Sequence, residues 1–283
     1  MIFGAGYVGG AVAKTALKSE AKVTVLNRNE AKAAALGELG CQSVSADLAN
    51  NDWHEEIPPA EYILNAVSSG GGGVSGYRRS YTGGMLSIAS WARKIKRCGH
   101  LIYTGSTSVY PQGGGDVVDE TSSALATEER TEELMRTESL VRDWPGRSSI
   151  LRLAGIYGPG RHYLLDQLRA GATEFAGLGD HRLNLIHLDD IVSAIFRIWA
   201  LPLRQEYELF NVSDGHPALK SEVVNWLADQ LELPRPKFSG KITLGRRGIR
   251  PNRRILNTKL RQEAGWNPVY SNYREGYRAI LGA

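Results

Sequence analysis

The sequence has few of the features that mark secreted, metal-binding or membrane proteins. Only two cysteines, Cys41 and Cys98, occur in 283 residues, and their spacing fits no metal site, so we expect reduced thiols rather than a disulfide. The six histidines also lack metal-site spacing. No apolar run approaches the ~20 residues that span a bilayer, and the N-terminus does not resemble a signal peptide. We therefore expect a cytoplasmic protein with neither a metal nor a membrane partner.

The chain also lacks a strong excess of one charge, since its formal net charge is +4. Its arginines nevertheless concentrate near the C-terminus, without interleaved aromatic residues or a nucleic-acid-binding motif, so we expect no nucleic-acid partner. A solvated loop and a pocket for an anionic substrate both remain open, because arginine forks match phosphate oxygens. The clustered residues are Arg246, Arg247, Arg250, Arg253, Arg254 and Arg261.

The opening segment predicts a turn that binds a dinucleotide. Gly4, Gly6 and Gly9 spell G-x-G-x-x-G between an apolar start and a helix-like run. The first glycine allows a tight turn, the second lets the backbone approach a pyrophosphate, and the third lets the helix pack closely on the sheet. Only three residues precede Gly4, which predicts either a short first strand or a sequence that begins late. The cofactor-binding residues predicted here are Gly4, Gly6, Tyr7, Val8 and Gly9.

Strand-like and helix-like segments alternate through the first half of the chain. This alternation predicts an α/β fold with a Rossmann-type, doubly wound parallel sheet and right-handed crossovers. After residue 156 short helices alternate with loops that contain glycine and proline. We therefore predict an NAD(P)-binding domain over residues 1–156 and a smaller C-terminal substrate lobe over residues 157–283, with a late strand that could return to the main sheet. Strand-like segments lie at residues 23–26, 41–45, 62–67, 100–104 and 149–153, and helix-like segments at residues 30–39, 77–96 and 124–142.

The end of the second predicted strand bears on the choice of cofactor. An acid at this place usually holds the ribose of NAD, whereas an arginine accommodates the 2′-phosphate of NADP. The strand ends at Asn27-Arg28 without an acid, which favours NADP over NAD, the alternative being that Arg28 is a solvated residue at a helix start. The third and fourth strands end at the same edge of the sheet, where such folds bind ligands. The cofactor-binding residues predicted from these strand ends are Asn27, Arg28, Asp47, Leu48, Ala66 and Val67.

Further motifs follow the glycine turn in an order that resembles a known family. Residues 103–110 read YTGSTSVY, residues 152–160 read RLAGIYGPG, residues 186–191 read IHLDDI and residues 264–268 read AGWNP. Together with the glycine turn and Asp47-Leu48, they resemble the extended short-chain dehydrogenase/reductases and, among these, the NAD-dependent epimerase/dehydratase family. The resemblance covers essentially the whole chain. It implies an NAD(P) cofactor and a nucleotide-sugar-like or small carbonyl substrate.

The resemblance also implies a catalytic site that this sequence contains only in part. Family members combine a Ser or Thr with a Tyr-x-x-x-Lys pair, whose lysine lowers the tyrosine pKa from about 10 towards neutrality. Ser106 matches the Ser/Thr position. No tyrosine of the chain has a lysine four residues later, and no lysine occurs between Lys96 and Lys220. The register with the family places Arg130 and Leu134 at the positions of the missing pair.

Several residues are candidates for the missing proton donor, and none is favoured. Tyr110 and Tyr157 are weak candidates, because tyrosines in such places are more often packing or loop residues. The carboxylates of Glu129 and Glu133 are the alternatives. Arg161 lies where family members shape the substrate pocket and could bind an anionic group, although a surface loop is equally consistent with its position. The predicted substrate-binding residues are Ser106, Tyr157, Arg161 and Arg250.

One histidine stands beside two acids, His187 with Asp189 and Asp190. A base or a metal ligand is one interpretation. In the family this stretch joins a strand to a helix, and we predict that Asp189 or Asp190 is the N-cap of a helix that begins near Ile191.

Two functions remain open for the chain. The first is an NAD(P)-dependent epimerase/dehydratase-like oxidoreductase, which the retention of Ser106 and of the Tyr-Gly-Pro-Gly loop favours. The second is a non-catalytic NAD(P)-binding protein that acts as a redox or metabolic sensor, which the missing Tyr and Lys favour. The resemblance also implies a homodimer with a four-helix interface, formed by residues 84–93 and 134–142.

Overall fold

The computed structural model describes residues 1–95, 98–202, 206–241 and 252–282. The chain divides into two compact units, each assembled from separate segments. Unit 1 comprises Met1–Val109, Leu125–Arg152 and Ile191–Phe210, and unit 2 comprises Tyr110–Ala124, Leu153–Asp190 and Asn211–Ala283. The domain boundary between residues 156 and 157 stays a prediction.

Short strands alternate with helices along most of the chain. No helix within the described residues is long and apolar enough to cross a bilayer. The strands are β1 (Ile2–Phe3), β2 (Thr24–Asn27), β3 (Gln42–Ser45), β4 (Tyr62–Asn65), β5 (His100–Ser106), β6 (Asp116–Val118), β7 (Ser148–Leu153), β8 (Gly155–Tyr157), β9 (Glu174–Phe175), β10 (Arg182–Leu183), β11 (Leu185–His187), β12 (Tyr207–Val212), β13 (Ala218–Leu219), β14 (Lys237–Phe238) and β15 (Arg253–Ile255). The helices are α1 (Tyr7–Lys18), α2 (Glu30–Glu38), α3 (Gly73–Tyr77), α4 (Gly84–Ile95), α5 (Glu129–Arg142), α6 (Tyr163–Arg169), α7 (Leu188–Trp199), α8 (Lys220–Gln230), α9 (Thr258–Ala264) and α10 (Tyr273–Leu281).

Seven strands form one parallel sheet in the order β12-β7-β5-β4-β1-β2-β3. The two-residue strand β1 lies inside this sheet, where Ile2 pairs with Val25 of β2 on one side and with Leu64 of β4 on the other. The chain therefore winds outward from β1 in both directions, and the predicted α/β fold class is confirmed. In such sheets a ligand crevice forms at the carboxyl ends of the strands, where the strand order reverses.

Apolar strands and three aromatic side chains form the core of unit 1. Every residue of β7 is buried, as expected for a parallel strand covered on both faces. Phe3, Trp53 and Trp91 pack together with ring centroids between 5.1 and 6.0 Å apart. Each indole N–H also donates to a backbone carbonyl, Trp53 to Leu48 at 3.3 Å and Trp91 to Ile57 at 3.1 Å. These bonds satisfy the polar atoms that burial of the indoles would otherwise leave unpaired.

The long helix after β4 is interrupted, which corrects the continuous helix predicted over residues 77–96. A π-helical turn, Arg78–Gly83, separates α3 from α4. Glycine favours such local distortion because it lacks a Cβ, and the segment ends in two adjacent glycines. A Cβ on Gly84 would lie 2.9 Å from a side-chain carbon of Leu48, so close packing also requires glycine here. π-helical turns often occur at functional sites.

Helix α5 starts later than the sequence indicates, at Glu129 rather than at residue 124. The reason is local hydrogen bonding by Thr131. Its hydroxyl accepts from the amides of Thr127 and Glu128 at 3.0 and 3.2 Å and donates to the carbonyl of Glu128 at 2.9 Å. These bonds hold the preceding residues outside the helix, because the backbone amides already have partners.

Unit 2 is built from short strand pairs and helices. Its strand pairs include β8 with β11, β9 with β14, β10 with β13 and β6 with β15. Apolar side chains of α6, α8 and α10 pack together with residues of β8 and β9. The largest contributors to this core are Leu165, Phe175, Leu227, Tyr273 and Tyr277.

Candidate functional site

The glycine turn of unit 1 has the geometry that close approach to a diphosphate requires. Gly4 adopts a positive φ of 82°, and a Cβ there would lie 2.7 Å from the Cα of Val67. A Cβ on Gly9 would overlap the carbonyl oxygen of Gly4, so the helix packs tightly on the turn. A Cβ on Gly6, in contrast, would have no neighbour within 4 Å. Gly6 therefore leaves open space in front of the first turn of α1, where backbone amides favour anions.

A cavity of about 300 Å³ lies beside this turn. It is formed by the glycine turn, by the carboxyl ends of β2, β3 and β4, and by residues that follow them. Most of the predicted cofactor-binding residues meet in this cavity, whereas Tyr7, Val8 and Gly9 belong to the helix start behind it. The residues that line the cavity are Gly4, Gly6, Leu26, Asn27, Arg28, Asn29, Lys32, Ala46, Asp47, Leu48, Ala66, Val67, Ser68, Gly70 and Ser80.

Two cationic side chains line the cavity where β2 leads into α2. The guanidinium of Arg28 reaches across to Gly70, so close that a Cβ on Gly70 would overlap it. Lys32 lies in the first turn of α2 and also lines the cavity. The Nδ2 of Asn27 donates to the carbonyl of Ala5 at 3.0 Å, which ties the end of β2 to the glycine turn. Arg28 and Lys32, which together form a cationic wall of the cavity, therefore lie beside the place where the glycine turn would hold a diphosphate.

Asp47 is the acidic residue of the cavity lining. Its Oδ1 accepts from the amide of Ala49 at 3.0 Å, so the carboxylate is fixed by its own turn. Its Oδ2 lies 2.6 Å from Nη2 of Arg79, which belongs to the π-helical turn. The single carboxylate of the lining is therefore paired with an arginine.

Several residues at this cavity are absent from the sequence prediction. Lys32 could have been found because it lies in the first turn of the helix that follows the end of β2. Ser68 and Gly70 follow Val67 directly and could have been included with the strand end. Arg79 and Ser80 depend on the π-helical turn, and no sequence signal reveals its register.

Ser106, the predicted catalytic serine, is the last residue of β5 and is half-buried. Its Oγ accepts from the amide of Ser108 at 3.1 Å, which holds the side chain at the carboxyl end of the strand. In the nearby helix α5, Leu134 is buried and Arg130 lies against the ring of Tyr77, with its guanidinium carbon 5.6 Å from the ring centroid. An apolar Leu134 cannot supply the cation that the family's lysine provides.

Glu133, one candidate acid, is committed to its neighbours within unit 1. Its carboxylate accepts from Thr82 Oγ1 at 2.5 Å and from Arg78 Nε at 2.8 Å. Burial alone would raise the pKa of Glu133, but the hydrogen bonds from Thr82 and Arg78 outweigh burial and lower it. A carboxylate held ionised by two donors is a poor source of protons. The other candidate carboxylate, Glu129, is exposed at the start of α5.

The two candidate tyrosines are both buried in unit 2. The hydroxyl of Tyr110 donates to Oδ1 of Asn211 at 2.9 Å. Tyr157 packs between the rings of His187 and Tyr277, with centroids 5.2 and 4.9 Å away. Burial, and then the nearby carboxylate of Asp214, raise the pKa of Tyr157 above its usual value. Packing is the role that these surroundings favour for both side chains.

The prediction that Asp189 or Asp190 caps a helix is wrong. Helix α7 begins at Leu188, so both acids lie inside its first turn. The carboxylate of Asp190 instead accepts from the amides of Val269 and Tyr270, at 2.5 and 3.3 Å. Its role is to hold a distant loop of unit 2, and burial raises its pKa to about 6.

Of the two predicted substrate arginines, only Arg161 lies within the described residues. Arg161 is exposed in a turn in which its amide and carbonyl pair with those of Gly158 at 3.0 Å. Arg250 lies outside the described residues, as do Arg246 and Arg247. Of the remaining clustered arginines, Arg253 and Arg254 donate to the carbonyls of Gln112 and Gly115, at 3.2 and 3.1 Å, and Arg261 donates to Asn267.

The glycine turn and the cavity at the strand ends define unit 1 as a dinucleotide-binding domain of the Rossmann type. Residues 1–213 match the model of the NAD dependent epimerase/dehydratase family. The chain therefore belongs to this family of oxidoreductases, whose members bind a nicotinamide coenzyme.

The chain is also similar to individual proteins in sequence or in fold. Protein YeeZ of Escherichia coli K12 is 34% identical over 174 residues, which cover 61% of this chain and 60% of YeeZ; the chain thus spans about 60% of the length of the curated relatives it matches. A functionally unknown conserved protein from Silicibacter pomeroyi DSS is 25% identical, with a TM-score of 0.79 over 99% of this chain and 97% of that one. MoeE5, solved with UDP-glucose and NAD, shares the fold at 17% identity, with a TM-score of 0.84 over 99% and 96% of the two chains.

Proposed function

We propose that this chain is an NADP(H)-dependent oxidoreductase that acts on a nucleotide-sugar-like or small carbonyl substrate. The observation that carries the proposal is the cationic wall of the cavity in unit 1, where Arg28 and Lys32 stand beside the glycine turn. When bound, the coenzyme supplies a hydride donor or acceptor. The residues of this chain bind and orient it.

The proposed roles of the cavity residues follow from their places. The open backbone at Gly6 and the first turn of α1 would hold the diphosphate. Asp47, Leu48, Ala66 and Val67 line the part of the cavity formed by β3 and β4 and would surround the adenosine.

Arg28 and Lys32 support NADP over NAD on electrostatic grounds. A 2′-phosphate carries charge that only the phosphorylated coenzyme has, and hydrogen bonds to charged groups contribute about 1.5–3 kcal/mol. Removing one such contact should therefore weaken NADPH binding by roughly ten- to a hundredfold. NADH has a neutral ribose hydroxyl at this place, so its affinity should hardly change.

At the reacting end we propose that Ser106 donates a hydrogen bond to the reacting oxygen of the substrate. Arg161 and Arg250 are proposed to bind an anionic part of the substrate, and Tyr157 to shape its surroundings from within unit 2. The proton donor is left unassigned, because Glu133, Tyr110 and Tyr157 are all held by packing or hydrogen bonds.

The alternative function is a coenzyme-binding sensor without turnover. The buried Leu134 at the place of the family's lysine favours it, since a leucine cannot activate a tyrosine. Both functions require coenzyme binding, and they differ only in chemistry after binding.

Coenzyme titration tests the shared part of the two functions. Isothermal titration of NADPH and NADH into the wild type and Arg28→Gln should show at least a tenfold loss for NADPH and less than a threefold change for NADH. Arg93→Gln, an exposed arginine on α4, is the matched control and should change neither affinity. Equal losses of both coenzymes in Arg28→Gln would contradict a 2′-phosphate role.

Turnover separates the enzyme from the sensor. Coenzyme absorbance would be followed with a panel of nucleotide sugars and small carbonyl compounds. The proposed enzyme oxidises or reduces at least one of them, and Ser106→Ala abolishes the reaction, whereas the control Ser108→Ala retains it. Tight NADPH binding without turnover across the panel would support the sensor.

A further inference from the structure

Two consecutive arginines of the π-helical turn bind different carboxylates of unit 1. Arg79 Nη2 lies 2.6 Å from Oδ2 of Asp47, and Arg78 Nε lies 2.8 Å from Oε1 of Glu133. Successive residues of a helix point roughly a quarter-turn apart, which explains the separate partners. Asp47 lines the cavity and Glu133 does not. The two arginines therefore carry the same charge and differ in which carboxylate they neutralise.

The charges of the cavity lining explain why it matters which carboxylate each arginine neutralises. Arg28 and Lys32 line it as cations, and Asp47 lines it as an acid. Left unpaired, the carboxylate of Asp47 would cancel part of the attraction that the two cations exert on a phosphate. It would also repel the phosphorylated coenzyme more than the unphosphorylated one, because only the former carries the extra charge.

We propose that Arg79 is a specificity-determining residue that preserves the preference for the phosphorylated coenzyme by neutralising Asp47. This inference rests on the proposed function, because it assumes that the cavity binds NADP(H). Arg79 acts through Asp47 and is a positioning residue. Its short ion pair fixes the carboxylate from one side while the amide of Ala49 fixes it from the other.

The placement of Ser80 supports the same inference. Ser80, which follows Arg79 in the π-helical turn, lines the cavity. The turn therefore adjoins the cavity at the position next to Arg79. On the α5 side, Thr82 and Arg78 of the same turn bind Glu133. The hydrogen bond from Thr82 ties the turn to α5 independently of Arg78, so that Arg79 is held beside Asp47.

The test compares five forms of the full chain by isothermal titration with NADPH and NADH. These are the wild type, Arg79→Gln, the control Arg78→Gln, Asp47→Asn and the double variant Arg79→Gln/Asp47→Asn. Arg78→Gln removes the same charge from the neighbouring residue of the same turn, and the two arginines are similarly exposed, 64% and 57%. Asn at position 47 keeps the oxygen that accepts from Ala49.

Arg79→Gln is expected to weaken NADPH binding about tenfold and to change NADH binding less than twofold. The cause is the carboxylate of Asp47, which is then left without its ion-pair partner at a partly exposed site. The double variant should recover the NADPH to NADH affinity ratio of the wild type, because the charge that Arg79 neutralises is then absent. Among the five forms, Arg78→Gln should leave the ratio unchanged, and an additional variant, Arg79→Lys, should keep it. A merely structural role for Arg79 would lower both affinities together.

Four results would overturn the inference. Equal losses of NADPH and NADH in Arg79→Gln would show a structural role. Failure of the double variant Arg79→Gln/Asp47→Asn to restore the ratio would show that Arg79 does not act through Asp47. An unchanged ratio in Arg79→Gln, with a wild type that prefers NADPH, would refute this inference alone. A wild type that binds neither coenzyme would refute the proposed function as well.

Discussion

The two units of the chain bury charged groups in different ways. In unit 1, Glu138 and Arg152 are each 5% exposed and form a bidentate ion pair, with N–O distances of 2.9 and 2.6 Å. In unit 2, the carboxylates of Asp190 and Asp214 accept hydrogen bonds from backbone amides. Burial raises the pKa of Asp190 to about 6 and that of Asp214 to about 8. Unit 1 thus pairs the buried charges of Glu138 and Arg152 with each other, whereas unit 2 holds two buried carboxyl groups whose pKa is raised towards neutral pH.

The difference matters for the proposed coenzyme site. A cavity that distinguishes two coenzymes by one phosphate needs charges that do not change with pH. The cations and the paired Asp47 of unit 1 provide such a site, since arginine stays charged and the carboxylate of Asp47 has Arg79 as its partner. The titratable carboxyl groups of unit 2 are expected to affect its stability.

The largest expected effect comes from breaking the buried pair of unit 1. Glu138→Leu leaves Arg152 buried without its carboxylate and should lower the free energy of unfolding by about 3–5 kcal/mol. Urea denaturation followed by tryptophan fluorescence measures this loss. The double variant Glu138→Leu/Arg152→Met should recover most of it, because both charges are then removed.

An exposed pair of the same helix is the matched control. Glu132 and Arg136 lie 2.6 Å apart but are 48% and 56% exposed. Glu132→Leu should therefore cost less than about 1 kcal/mol. Equal losses of unfolding free energy in Glu138→Leu and Glu132→Leu would show that the buried pair of unit 1 is no more important for stability than an exposed pair.

The next effect concerns the pH dependence of unit 2. The folded-state pKa of Asp214, about 8, lies above its unfolded value, so the folded state binds the proton more tightly. Its stabilising contribution is therefore complete at low pH and is lost as the pH rises towards 8. Relative to Asp214→Asn, the wild type should lose about 1.4 kcal/mol of unfolding free energy per pH unit between pH 5 and 7.

Denaturation at several pH values measures this slope directly. The titrations of groups that do not interact with Asp214 cancel when the variant is subtracted from the wild type. Asp189→Asn, which removes an acid that is 63% exposed, is the control and should leave the slope unchanged. A difference between wild type and Asp214→Asn that does not vary with pH would mean that Asp214 stays ionised when buried.

The last prediction concerns exposed leucines at the surface of unit 1, where substitutions are expected to have the smallest effect on the free energy of unfolding. Leu86 and Leu140 line an open groove between α4 and α5 together with Met135. The resemblance to the family implies that these helices form a dimer. Leu86→Glu or Leu140→Glu should give monomers in sedimentation velocity if the wild type is a dimer. Leu39→Glu, at another exposed leucine of unit 1, should not change the assembly, and unchanged sedimentation of the first two variants would reject the interface.

Local sequence patterns were sufficient for the fold class and for much of the cavity. The glycine turn could be predicted because the role of each glycine is set by its neighbours in the sequence. Arg28 could be predicted as a residue of the cavity because it follows a strand that ends at the edge of the sheet where such folds bind ligands. The parallel sheet followed from the alternation of strands and helices. These are features in which sequence neighbours are also spatial neighbours.

Features that depend on distant residues could not be predicted. Asp190 accepts from the amides of Val269 and Tyr270, about eighty residues away in the chain. The local sequence pattern instead predicted that Asp189 or Asp190 caps the adjacent helix. The ion pair of Arg79 with Asp47 depends on a π-helical turn whose register is set by packing. The hydrogen bond of Tyr110 with Asn211 and the ring contact of Tyr157 with Tyr277 likewise depend on distant residues, although the sequence already favoured a packing or loop role for both tyrosines.

The most direct test of the central claim is the ratio of the dissociation constants for NADH and NADPH, measured by calorimetry on the wild type and on Arg28→Asp. The cationic cavity of unit 1 predicts that the wild type binds NADPH at least tenfold more tightly than NADH, and that Arg28→Asp reverses this order. Absence of affinity for either coenzyme, or a ratio that Arg28→Asp does not change, would contradict the account.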